Sequence, residues 1–105
     1  MERTNTPRIT SADPPRPLHI LLVDDEDLVR DTLMMLLRLD RHLVEGASNS
    51  SQALEMFQPG KFDLVITDYK MAGLKGDQLA AAIKALVPDQ PILMFTGHAE
   101  AFRSD

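Results

Sequence analysis

Four short apolar runs, separated by segments of helical periodicity, constrain this chain more than any other feature. Residues 18–23, "LHILLV", form a nearly continuous apolar run of the length and content that suit a strand buried on both faces. "LVRDTLMMLLRLD" follows, with Val29, Leu33, Leu36 and Leu37 at helical spacing. "HLVEGAS" predicts a second strand. "NSSQALEMF" predicts a helix with Asn49 or Ser50 as its N-cap, stopped by Pro59 and Gly60. Residues 63–67 predict a third strand. After Gly76 and Asp77, "QLAAAIKAL" predicts an Ala-rich helix ended by Pro88, and residues 91–95, "PILMF", predict a fourth strand. The last ten residues, "TGHAEAFRSD", read as a further loop and the start of a helix. The order β-α-β-α-β-α-β with short connections predicts an α/β fold, a parallel sheet with helices on both faces.

Within 105 residues there is room for one domain and a modest core. Residues 1–17 hold four of the seven prolines and almost nothing apolar, so they predict a flexible arm that cannot offset its ordering entropy by burial. No run approaches the roughly 20 apolar residues that span a bilayer, and the first 17 residues lack the apolar centre of a signal peptide. A formal net charge of -5 with scattered basic residues argues against nucleic-acid binding by this segment. The absence of cysteine excludes disulfides and thiolate metal sites. A cytoplasmic protein is the expectation.

Carboxylates cluster where the strands end. The first strand runs into "DDED", residues 24–27, and the third into Asp68. At the start of a helix, Asp25, Glu26 and Asp27 are expected to cap free amides and complement the dipole. Ligands of open parallel sheets sit beyond the carboxyl ends of the strands, where the strand order reverses. In the order 2-1-3-4, strands one and three are neighbours at that point, and Asp24, Asp25 and Asp68 would share one pocket. Anions so close raise one another's pKa unless a cation neutralises them, and hard carboxylate and carbonyl oxygens suit Mg2+ or Mn2+. Asp68 then has two roles open to it, metal ligand and nucleophile toward a phosphoryl group. Thr96, ending strand four, would bring a hydroxyl nearby, and Gly97 leaves room beside it.

The motifs "ILLVDDE", "LVITDYKMAGLKG" and "ILMFTG", in that order with helices between, resemble those of response-regulator receiver domains, the phosphoacceptor modules of two-component signalling. The resemblance runs from about Leu18 to the C-terminus and implies a flavodoxin-like, doubly wound sheet over residues 18–105. It implies Asp68 as phosphoacceptor, Asp25 as direct metal ligand, Asp24 acting next to it through water, and the Lys70 backbone carbonyl as a further ligand to Mg2+. Thr96 resembles the residue that moves toward the phosphoryl group on switching. A sensor histidine kinase or phosphotransfer protein is the implied donor, and self-catalysed transfer makes the protein a switch rather than a turnover enzyme. Met71 and Gly76 match the loop pattern, while Ala72 stands where a proline is usual, a change expected to loosen the loop without removing a functional group.

Receivers normally add a fifth strand bearing a lysine, then a fifth helix. Here the last lysine is Lys84, and nine residues follow Thr96. Fifth strand and fifth helix are therefore expected to be missing, with the chain a fragment or a short receiver that covers the strand-four edge by self-association. Two other functions compete. A degenerate receiver would serve only protein contacts. A haloacid-dehalogenase-like phosphatase would use "DEDLV", residues 25–29, with Asp25 as nucleophile, but the lysine and late acidic pair of that family are not evident. The apolar stretch 33–37 is wider than one buried stripe, so Met34 or Met35 must point outward, either tucked under loops or offered to the phosphodonor.

Overall fold

The computed structural model describes residues 16–95, so most of the expected arm (residues 1–15) and the segment 96–105 lie outside it. Seven elements follow in order: β1 (His19–Val23), α1 (Asp27–Leu39), β2 (Leu43–Ala47), α2 (Ser50–Met56), β3 (Leu64–Asp68), α3 (Gly76–Leu86) and β4 (Ile92–Phe95). The four strands are all parallel, in the order β2-β1-β3-β4. Among the described residues, no helix is long and apolar enough to cross a membrane.

The unbroken apolar run 20–23 of β1 has a direct cause. Successive strand side chains point to opposite faces, and here both faces are covered. Leu21 and Val23 join Val65, Ala53, Phe57, Leu79 and Ile83 on the side of α2 and α3. Ile20 and Leu22 join Val44, Ile66 and Phe95 beneath Leu33, Met34 and Leu37 of α1. Gly46 lets α1 approach β2 closely, because a Cβ there would lie 2.7 Å from the Met34 sulfur.

Of the two methionines on α1, Met35 is the outward one, 55% exposed, while Met34 packs against the sheet. No residue of α1 is fully buried, and Leu28, Leu36 and Leu39 are also exposed. Beside α1, Leu22, Leu33, Leu36, Leu37, Ile66, Leu93 and Phe95 line an apolar groove of about 400 Å3. The outer edge of β4 has no strand partner among the described residues.

Two boundaries differ from expectation. Strand β3 begins and ends one residue later, so Asp68 is its last residue and lies opposite Phe95 of β4 in register. The amides at the start of α1 are not capped by Asp25, Glu26 or Asp27. Glu26 occupies the N-cap position without a side-chain hydrogen bond, and its own N–H donates to Asp24 Oδ1 at 2.9 Å. The buried carboxylate thus turns back on the chain. Asn49 does cap α2, accepting from the Gln52 N–H at 2.7 Å.

Candidate functional site

Parallel register brings the carboxylates together. Val23, the last residue of β1, pairs with Thr67 of β3, so Asp24 and Asp68 leave adjacent strands at the same level. One carboxylate oxygen from each of Asp24, Asp25 and Asp68 lies within 4.8 Å of the other two. Asp24 and Asp68 are buried, at 1% and 8% exposure, whereas Asp25 is exposed. The cluster therefore has two fixed acids at its base and one at its mouth.

Burial pushes the Asp24 carboxyl above the ordinary value; the Glu26 N–H pulls it part of the way back, and the charges of Asp68, Asp25 and Glu26 push it up further. A divalent cation relieves such crowding, and three carboxylates at this spacing are hard oxygen donors of the type that suits Mg2+. The donor set fits the ion.

The loop between β3 and α3 closes over this edge. The Lys70 N–H donates to Asp68 Oδ1 at 3.2 Å, and the Ala72 N–H donates to Asp25 Oδ2 at 3.2 Å. Ser50, buried at the start of α2, donates its hydroxyl to the Leu74 carbonyl at 2.8 Å. The Gly76 N–H donates to the Tyr69 carbonyl at 3.0 Å. Met71 tucks its side chain into the α2–α3 core. The Thr67 hydroxyl donates to the Asp68 carbonyl at 3.0 Å.

Of the residues singled out in the sequence, Asp24, Asp25 and Asp68 converge here, and Lys70 meets them through its N–H on Asp68. Thr96 lies outside the described residues. Sequence reasoning missed Ser50, and it read Ala72 only as a loosened proline position. Any residue other than proline restores a backbone N–H; that was the available signal, and here the restored donor meets Asp25. For Ser50 no signal existed, since its partner is 24 residues away.

The chain matches the response regulator receiver domain model over residues 20–104. It is 34% identical over 83 residues to the transcriptional regulatory protein GlrR of Escherichia coli K12, covering 79% of this chain and 19% of that protein. It is 37% identical over 86 residues to the positive alginate biosynthesis regulatory protein of Pseudomonas aeruginosa, covering 79% of this chain and 35% of that one. The chain thus spans about a fifth to a third of these relatives. Among solved structures, the non-phosphorylated receiver domain of HemR from Leptospira biflexa superposes with a TM-score of 0.73 at 35% identity, over 84% of this chain and 73% of that one. The response regulator TrrA of Thermotoga maritima, solved in complex with Mg2+-BeF, gives 0.74 at 36% identity, over 83% and 75%. Matching motifs, strand order and relatives agree: the chain belongs to the response regulator receiver domain family.

Proposed function

We propose that this chain is the phosphoacceptor of a two-component or phosphorelay system, taking a phosphoryl group from a phosphohistidine donor onto Asp68. The observation that carries the reading is the convergence of Asp24, Asp25 and Asp68 within 4.8 Å at the carboxyl edge of β1 and β3. It is supported by the family and by a relative, TrrA, solved with Mg2+-BeF.

In the proposed transfer, an Asp68 carboxylate oxygen forms a bond to phosphorus as the P–N bond to the donor imidazole breaks. The electron pair leaves with the imidazole nitrogen, which then takes a proton. Asp68 is held for this by its place at the end of β3 and by the Lys70 N–H on Oδ1. Asp24, Asp25 and the Lys70 carbonyl, together with Asp68, would hold Mg2+, which when bound offsets negative charge on the carboxylates and the arriving phosphoryl group. The proposed partner is a histidine kinase or phosphotransfer protein, and the chain acts as a switch without turnover.

Incubation with acetyl phosphate and Mg2+, followed by mass spectrometry and mapping of the acyl phosphate, tests this. The expected result is a single label on Asp68 that disappears in Asp68→Asn. Label on Asp25 instead would favour a haloacid-dehalogenase-like phosphatase. No label, with no response of the parent chain to Mg2+ and beryllofluoride, would favour a receiver used only for protein contacts.

A further inference from the structure

Asp25 is the one exposed member of the carboxylate cluster, so the core does not fix its direction. Its hydrogen-bond restraint comes from far along the chain: Oδ2 accepts the Ala72 N–H, 47 residues away. Ala72 in turn sits in a loop fastened on its other side by Ser50. Ser50 is 2% exposed, and its hydroxyl grips the Leu74 carbonyl at 2.8 Å from α2, an element that contributes nothing else to the site among the described residues. The Gly76 N–H on the Tyr69 carbonyl draws the two ends of the loop together.

We propose that the Ala72 amide, anchored through Ser50, is the positioning group that aims Asp25 at the cation. The assignment rests on the cation-site reading given above. A carboxylate that binds an amide through one oxygen keeps the other for an ion, and an outer hydrogen bond that fixes the orientation of a ligand raises affinity by removing its freedom before binding. The same bond holds the loop carrying Lys70, two residues before Ala72, against the end of β1. A proline at position 72 has no N–H to give, so this device exists because the residue is not proline.

Calorimetric Mg2+ titration of the full chain, with amide exchange followed by NMR, tests the assignment. Ser50→Ala and Ala72→Pro should each weaken Mg2+ binding by roughly 10-fold, the low end for loss of an outer hydrogen bond because Asp25 is exposed. Ala72→Ser, which keeps the N–H, should bind as the parent does. The Ala72 amide should be slow to exchange in the parent, remain slow at saturating Mg2+, and become fast in Asp25→Ala. A lowered Tm with unchanged Mg2+ affinity in both weakened variants would mean a merely structural role and overturn the assignment. So would release of the Ala72 amide on Mg2+ addition. If the parent itself binds no Mg2+, the phosphoacceptor reading falls along with this assignment; if it binds and the variants match it, only the assignment falls.

Discussion

The Cα of Gly76 lies against the main chain of Asp68: a Cβ on it would collide with the Asp68 carbonyl oxygen and come within 2.8 Å of the Tyr69 Cα. Glycine is required here by close approach and not by a left-handed backbone. Backbone atoms cannot swing aside as a flexible side chain can. Gly76→Ala should therefore move the end of β3, destabilising the fold by about 1–3 kcal/mol and weakening Mg2+ binding as Asp68 shifts. Urea unfolding together with Mg2+ titration checks both; an alanine variant with parental stability and affinity would contradict the packing.

Asp24 carries the cost of the cluster. Its pKa stands above the ordinary 3.8, so above that raised value the ionised, buried carboxylate destabilises the metal-free fold, and the cost is relieved as pH falls through it. Asp24→Asn removes the charge while its side-chain oxygen can still accept the Glu26 N–H. At neutral pH without metal, the variant should melt higher, by roughly 4 °C, and should lose Mg2+ binding. Differential scanning calorimetry with and without Mg2+ would reveal the exchange of stability for function.

At the far end of the sheet, Glu45 meets His19 at 2.7 Å and Lys61 at 3.4 Å. Partial burial pushes the Glu45 carboxyl up, but the hydrogen bond to His19 and the charge and hydrogen bond of Lys61 outweigh it, leaving the carboxyl below the ordinary 4.5. Its contribution is thus present above pH 4.5 and lost as pH falls through the depressed value. Because Glu45 is partly solvated, Glu45→Gln should cost only about 0.5 kcal/mol at neutral pH after screening. The difference from the parent should vanish on acidification below the folded pKa, measured by denaturant titration across pH.

Met35 stands outward on α1 with Leu39 and Asp31, apart from the carboxylate cluster. Met35→Glu should leave Tm, Mg2+ affinity and labelling by acetyl phosphate within error of the parent. Transfer from a protein phosphohistidine donor should fall at least several-fold if this face receives the donor. Equal loss with both donors would point to misfolding instead.

The groove beside β4 leaves Leu93, 55% exposed, next to a strand edge unpaired among the described residues. Such an edge is a template for another chain. Sedimentation equilibrium of the 105-residue chain should show concentration-dependent association, reduced in Leu93→Lys. A folded monomer at high concentration would remove the self-association expected from the sequence.

The sequence by itself determined the alternation of elements and the placing of the acids after β1 and β3. Runs such as "ILLV" in β1 are apolar at every position because both faces of a central parallel strand are covered, and that pattern is visible without coordinates. The acids after β1 and β3 were legible because ligand positions in such sheets follow strand ends. Tertiary structure alone decided which atoms meet. Asp24 and Asp68 share a level because Val23 pairs with Thr67, and a hydrogen-bonding register is a property of two segments, written in neither. Ser50 reaches Leu74, and Ala72 reaches Asp25, through contacts between residues 24 and 47 positions apart. Local patterns of charge and hydrophobicity fix what a segment becomes; the distances within the carboxylate cluster are set only when distant segments pack.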